Sequence, residues 1–429
     1  MSARTIQQHR EAVATLLAPL FQTRSVETLT LSSERLIADP DGFRARTLAA
    51  AVASPVSLPP FDNSQMDGYA VRSGDLSAAA GGTPVTLCVA DRIAAGDTGT
   101  PLRAGTAAPI MTGAPIPPGA DAVVPIEQAD PPRFLPPAAA GTVSFAAPVA
   151  AGTFVRPAGS DVAAGELLLP AGSHLGPAQL GVFAGTGVTE ITVLRRIRVL
   201  LIATGHEIRA AGEPLAAGQI YDSNSVILTQ ALHDAGCTVV ARPCPSDDAA
   251  DLLALLTSAP EVDLIVTVGG VSAGAREVVR DALGPLGVEF LHVAMQPGGP
   301  QGLGEIARPS AADGDATAPV PVVSFPGNPV SALISFEVFL RPLLRALAGL
   351  PRPERALLRA PLATAVESPA GKHQLRRGIL RPDGTLELVG GPSSHLLHSY
   401  AAATVLVHLP VGLDRAAAGE PVNYWSIDD

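Results

Sequence analysis

The sequence predicts a multidomain α/β-plus-β chain, with an α/β domain on a parallel sheet, a β-rich domain inserted before it and a smaller β domain after it. Three observations carry this. Residues 195–345 alternate strand-like apolar runs with helical periods. Residues from about 53 to 150 break into short apolar pieces between Pro, Gly and Thr. The short-strand texture returns after Pro351.

The elements follow in order. Ile6, Val13, Leu16, Leu17 and Leu20 share one helical stripe within residues 6–21. Val85–Val89, Ala108–Met111 and Ala122–Ile126 are short strands, and the Pro/Ala-rich stretch Pro131–Gly141 is an exposed loop. Ile197–Ala203 is a continuous apolar run, as expected of a strand buried on both faces. Ser225–Gly236 has helical spacing and ends on a glycine, Cys237–Ala241 is a strand, and Asp247–Ala259 is a helix. Asp263–Val268 and Val320–Phe325 are further strands, and a helix runs from about Pro329 to Leu347. Ala356–Leu362, Gln374–Leu380, Leu386–Val389 and Thr404–Leu409 form the last β part. The expected division is residues 1–51 with 146–195 as a helix and linker domain, 52–145 as the β-rich domain, 196–348 as the α/β domain and 349–429 as the C-terminal β domain.

Composition narrows the function. A chain of 429 residues accommodates two to four domains at roughly 100–200 residues each. With 47% hydrophobic and 16% charged residues it has the makings of several cores and is not a disordered chain. A net charge of −11 argues against a general nucleic-acid binder, which needs a basic face. Lys372 is the single lysine, so an anionic ligand must be held by arginines, backbone N–H groups or a metal. Cys88, Cys237 and Cys244 form neither a disulfide framework nor a CxxC zinc pattern and are read as packing residues. Met1–Leu20 interrupts its apolar pattern with Gln, His, Arg and Glu, unlike a signal peptide, and no run is long enough to span a bilayer. A cytoplasmic setting without membrane partners is expected.

Three loops follow or border the strands of the α/β part: Ala203–Ile208 (ATGHEI), Gly269–Gly274 (GGVSAG) and Phe325–Ser331 (FPGNPVS). In open α/β sheets ligands sit beyond the carboxyl ends of the strands, where glycines and helix N-termini present N–H groups to anions. Together the loops could cradle phosphates without lysine. They contain neither the GxGxxG fingerprint nor a GK[ST] P-loop, which argues against a nicotinamide oxidoreductase. Pro60–Ala70 gathers Asp62, Asn63, Ser64, Asp67 and Tyr69; a self-capping loop and a functional segment both account for it. Arg156 and Asp161, on residue types alone, read as a surface pair before they read as a site. Glu127, Asp222, Asp247, Asp248, Glu277 and Asp281 are further acids, of which strand-end members commonly cap helices. Of nine histidines, His206 sits in a glycine loop, whereas His174, His292 and His408 are read as structural or surface residues.

Taken together, PPFDNSQMDGYAVR (59–72), MTGAPIPPGADAVVPIE (111–127), RPAGSD (156–161), ATGHE (203–207), YDSN (221–224), GGVSAG (269–274), MQPGGPQG (295–302) and FPGNPVSA (325–332) resemble the molybdopterin molybdenumtransferases, the bacterial MoeA-type enzymes akin to the gephyrin E domain. The resemblance is co-linear from about residue 50 to 345 and weaker beyond. It implies an elongated homodimer that takes adenylylated molybdopterin and molybdate, releases AMP and inserts molybdenum into the dithiolene with a divalent cation, usually Mg2+. Other proteins of molybdenum-cofactor biosynthesis are implied as further partners. It also implies roles. Asp67, acting from a neighbouring subunit, Asp161, Glu207 and Asp247 are the catalytic acids, and Asp247 and Glu277 the metal ligands. Thr204, Gly205, Asp222, Asn224, Gly269, Gly270, Ser272, Pro326, Gly327, Asn328 and Ser331 bind nucleotide and pterin.

One departure stands out. The family often shows KPGKP, whose two lysines face molybdate; here the segment is Gln296-Pro-Gly-Gly-Pro300. Lys372 and Ser394 fall where the C-terminal part of the family supplies an arginine and a serine. Two consequences are open: molybdate held more weakly through Lys372, Ser394 and backbone N–H groups, or a paralogue with another metal or with reduced activity. A non-catalytic molybdopterin-binding scaffold is the alternative function.

Overall fold

A computed structural model describes residues 3–97, 100–135, 141–272, 277–307 and 319–427. Part of the expected Pro/Ala-rich loop (136–140) and Ala273 and Gly274 of the second glycine loop lie outside the described residues. The chain divides into two compact units, one of residues 29–38 and 50–191, the other of residues 1–28, 39–49 and 192–429.

The first unit is built on a six-stranded sheet. Its strands are β1 (Gly68–Val71), β2 (Val85–Val89), β3 (Thr106–Ile110), β4 (Ala122–Pro125), β5 (Ala129–Asp130) and β6 (Thr142–Phe145), in the order β4-β1-β3-β2-β6-β5. Only β2 and β3 run parallel. The sheet is apolar on both sides: Tyr69, Val71, Val124 and Phe145 pack on one face, and Ala70, Ala108, Ile110 and Val123 on the other. That is why β1 and β4 read as unbroken apolar runs rather than as alternating strands.

The second unit carries two sheets. Its helix α1 (Ile6–Gln22) starts at Thr5, whose hydroxyl accepts from the Gln8 N–H while the Gln8 side chain accepts from the Thr5 N–H. Val13 and Leu17 of α1 join the core of the α/β layer. Helix α1 belongs to the unit that holds the α/β layer, on which its apolar stripe is buried, and residues 50–191 belong to the other unit.

The α/β sheet comprises β7 (Arg198–Ala203), β8 (Thr238–Ala241), β9 (Leu264–Val268), β10 (Glu289–His292), β12 (Pro300–Ile306) and β13 (Val320–Phe325); β11 (Met295–Gln296) belongs to the other sheet. The order is β8-β7-β9-β13-β12-β10. The first four strands are parallel, as expected, and β12 and β10 extend the sheet antiparallel. Along β7, Val199 and Leu201 enter one core and Leu200 and Ile202 the other, so the run must be apolar at every position. Helices α2 (Ser223–Asp234), α3 (Ala249–Ser258) and α4 (Val278–Leu283) cover the faces.

The helix expected over 329–347 is α5 (Pro329–Ser335), a π turn (Phe336–Leu340) and α6 (Arg341–Leu347). Pro342 has no N–H to return to the preceding turn, so the ladder loosens there. Glu337 in that turn pairs with Arg355 at 2.7 Å and Arg341 at 3.6 Å.

The C-terminal sheet contains β14 (Leu358–Pro361), β15 (His373–Leu380), β16 (Val405–Leu409) and β17 (Pro421–Ser426), in the order β11-β15-β16-β17-β14. Leu375, Leu406 and Trp425 share the core that contains α1 and β7. Residues 196–348 and 349–429 are therefore joined through one core within a single compact unit.

Candidate active site

The carboxyl ends of β7, β9 and β13 lie side by side, and the loops leaving them interlock. The Thr204 N–H donates to the Val268 carbonyl at 2.9 Å, and the Gly269 N–H to the Phe325 carbonyl at 3.0 Å. The approach is close enough to require glycine at 269. Its φ is +97°, and a Cβ there would lie 2.7 Å from the Thr204 carbonyl oxygen. Asn224 of α2 ties in the third loop through a 2.7 Å bond from Nδ2 to the Gly327 carbonyl.

These loops form one wall of a cleft of about 850 Å³ within the second unit. Thr204, Gly205, Glu207, Asp222, Asn224, Asp247, Gly269, Gly270, Ser272, Glu277, Pro326, Gly327, Asn328 and Ser331 all line it, as do Lys372 and Ser394 from the C-terminal part. The Ser394 carbonyl accepts from the Val330 N–H of α5 at 3.2 Å, which docks the loop of residues 392–395 beside the third strand-end loop. Gln296–Pro300 also lines the cleft. Gln301, fully buried, holds that segment by donating to the Gly298 carbonyl and the Ser335 hydroxyl, each at 2.7 Å. Gln296 accepts from Gln374 at 2.7 Å, where β11 runs parallel to β15.

Several N–H groups expected to meet a ligand are used internally. Those of Thr204, Gly205 and Gly269 go to neighbouring backbone carbonyls, and that of Ser272 donates to Glu277 Oε2 at 3.0 Å. The N–H groups of Gly270, Gly327 and Asn328 have no partner among the described residues, and neither has the buried Asn224 Oδ1. The three N–H groups are the ones free to meet a ligand.

The acids divide by task. Asp222 caps α2, accepting from the Ser225 N–H at 2.9 Å and hydroxyl at 2.6 Å. Asp248 caps α3, which leaves Asp247 one residue ahead of the cap and on the cleft wall. There it holds His206 Nδ1 at 2.7 Å, with Glu207 3.6 Å from the same nitrogen. Among the described residues, no three His, Cys, Asp or Glu side chains group so as to hold a metal by themselves. Sequence reasoning missed His292 and His395 as cleft residues: His292 is exposed, but on the cleft wall. Its place at the end of β10 is hidden in the sequence, because that strand carries no clear alternation of its own.

Asp67 and Asp161 belong to the first unit. Asp67 Oδ1 accepts from the Thr112 N–H at 2.7 Å and its hydroxyl at 2.9 Å, and these bonds hold the carboxyl below its ordinary range. The two segments of this unit meet, since Asn63–Ser64 pairs antiparallel with Val155–Arg156 and Asp62 accepts from the Ala158 N–H at 2.7 Å. Tyr69 of the same motif is core: it is fully buried, and its hydroxyl donates to the Arg133 carbonyl.

Glycine-lined loops at the carboxyl edge of a parallel sheet define the ligand cleft of an open α/β protein. Comparison with known proteins narrows the class. Family models match in three stretches: the MoeA N-terminal region (domain I and II) over residues 4–187, a probable molybdopterin binding domain over 201–346, and the MoeA C-terminal region (domain IV) over 359–427. The chain is 43% identical to molybdopterin molybdenumtransferase 2 of Mycobacterium tuberculosis, over 99% of this chain and 100% of the relative. It is 36% identical to molybdopterin molybdenumtransferase of Synechococcus elongatus, over 98% and 100%. The crystal structure of a molybdopterin biosynthesis MoeA protein from Pyrococcus horikoshii superposes with a TM-score of 0.72 at 28% identity, covering 96% of this chain and 98% of that one. The chain belongs to the MoeA family of molybdopterin molybdenumtransferases. No helix among the described residues is long and apolar enough to cross a membrane.

Proposed function

We propose that this chain is a transferase of molybdenum-cofactor biosynthesis that takes adenylylated molybdopterin and molybdate, releases AMP and passes molybdenum to the dithiolene sulfurs. The observation that carries the reading is the convergence of the free N–H groups of Gly270, Gly327 and Asn328 with Asp247 and Glu277 on one wall, and Lys372 and Ser394 elsewhere on the same cleft. A phosphate-bearing ligand fits the N–H groups. Rigid, preorganised donors of this kind act by positioning and by field rather than by covalent chemistry.

Magnesium fits the same wall. It takes hard oxygen donors, commonly one or two carboxylates completed by substrate phosphates. Asp247 and Glu277 supply such carboxylates without forming a closed cage, so they would hold the ion only with substrate present. When bound it would neutralise phosphate charge. Asp247 is oriented by His206, and Glu277 by the Ser272 N–H. The active form proposed is a homodimer in which Asp67 acts from the neighbouring subunit, with Asp161 beside it in the role the family implies.

A binding-only scaffold is favoured by one observation, the absence of lysine at 296 and 299. One assay separates the two readings. Purified protein with adenylylated molybdopterin is expected to release AMP only when molybdate and a divalent cation are both present. Nucleotide binding with no molybdate-dependent release would establish the scaffold instead.

A further inference from the structure

The cleft sorts its charges. Glu207, Asp222, Asp247 and Glu277 lie on or beside the strand-end loops, whereas Lys372 is the one permanent cation among the described lining residues. His206 is drawn to the acids, with Asp247 2.7 Å from Nδ1. His292 is placed differently, at the end of β10 and against Gly299. A Cβ on Gly299 would lie 2.4 Å from His292 Cε1 and 2.6 Å from Nε2. The imidazole edge therefore occupies the space that any side chain at 299 would take. Glycine at 299 and histidine at 292 form one arrangement: a titratable ring stands where the family resemblance places a lysine.

We propose that His292 and Lys372 form the oxyanion end of the cleft, and that binding a tetrahedral dianion such as molybdate draws a proton onto His292. The proposal rests on the reading that this cleft takes molybdate, and it adds the residue and the proton. Partial desolvation where the ring lies against the cleft wall, and then the charge of Lys372, hold His292 below the ordinary imidazole value of 6.5, so without an anion beside it the ring is neutral near pH 7. A dianion beside the ring reverses that preference, because an opposite charge favours the imidazolium. The other charged and titratable groups on the neighbouring elements are committed elsewhere. Arg4 donates its backbone N–H to the His292 carbonyl, but its guanidinium pairs with Glu289 at 3.0 Å. His373 turns to His408 at 3.1 Å. His395 also lines the cleft.

The test is equilibrium dialysis of molybdate, which stays a dianion across the neutral range, against the full-length protein, with AMP release measured alongside. Wild-type affinity is expected to rise as pH falls, approaching about tenfold per pH unit for one proton taken up. H292Q is expected to bind about tenfold more weakly at the acid end, the equivalent of one unit of pKa, and to lose the pH slope. H292K is expected to restore tight binding with no slope, and G299A, whose methyl displaces the ring, to reproduce H292Q. If H292Q keeps both affinity and slope, or H292K fails to restore binding, the proposal is overturned while molybdate-dependent AMP release still upholds the parent reading. A wild type that neither binds molybdate nor releases AMP overturns both.

Discussion

Replacing Gly269 with alanine tests the interlocked loops at their tightest point. The new methyl would sit 2.7 Å from the Thr204 carbonyl oxygen and 2.9 Å from Thr204 Oγ1, on a backbone with φ of +97°. The left-handed conformation costs a side-chain-bearing residue about 1–2 kcal/mol. Relieving the overpacking costs about 1–3 kcal/mol more, for a total of about 2–5 kcal/mol. That strain falls on the junction of the first two loops, because Gly269 is also bonded through its N–H to Phe325 and Thr204 through its N–H to Val268. The variant is therefore expected to fold with Thr204–Glu207 and Gly269–Ser272 displaced. Hydrogen exchange should rise in peptides covering those residues while β1–β6 stay unchanged. Turnover should fall by about a hundredfold, as expected when positioning is lost by a fraction of an ångström or more. Unchanged exchange and unchanged turnover would refute the reasoning.

Three further outcomes follow from the geometry. T112V removes one of the two bonds that lower the Asp67 pKa, so a carbon-13 titration should show it rising part of the way toward 3.8; an unmoved titration would mean the hydroxyl bond contributes nothing. The sign of the linkage is that of a depressed carboxylate: the stabilisation is present above pH 3.8 and is lost as pH falls through the lower folded value, and T112V should shrink it. R355M removes the 2.7 Å partner of buried Glu337, leaving Arg341 at 3.6 Å. It should destabilise the second unit by about 3 kcal/mol, read by denaturant unfolding through Trp425, the one tryptophan; a loss below about 1 kcal/mol would show the pair to be dispensable. Mixed dimers of Asp67→Ala and Asp247→Ala subunits should recover part of the activity that each homodimer lacks, and no recovery in verified mixed dimers would remove Asp67 from action in trans.

Much of the second unit was legible because its physics is local. Ile197–Ala203 must be apolar at every position to feed two cores, and the helices that Asp222 and Asp248 cap were expected close to their observed bounds. The antiparallel pair β10–β12 was not legible. Its glycines at 302 and 304 look like turn residues, yet Gly302 is small because the Phe290 ring lies where its Cβ would go, a contact made across the sheet. The interruption between α5 and α6 was not read from the sequence, where one helix was expected to Leu347. Arg355, which braces the π turn by pairing with Glu337, lies 18 residues beyond its partner and meets it only in space.

The candidate site was legible as three glycine loops, and the structure brings all three to one cleft. Their N–H groups were harder to assign, because whether a loop N–H is free depends on which neighbouring carbonyl reaches it. Thr204, Gly205 and Gly269 spend theirs on neighbouring strands and loops, and Gly270, Gly327 and Asn328 do not. Lys372 was identified by its rarity and by its place in the family resemblance. His292 was not, because its meaning depends on the missing side chain at Gly299.

The most direct measurement is a crystal structure of the full chain soaked with the adenylylated pterin. Phosphate density is expected against the N–H groups of Gly270, Gly327 and Asn328, with Asp247 and Glu277 beside it. A ligand bound elsewhere, with those three groups still facing solvent, would contradict the assignment of this cleft.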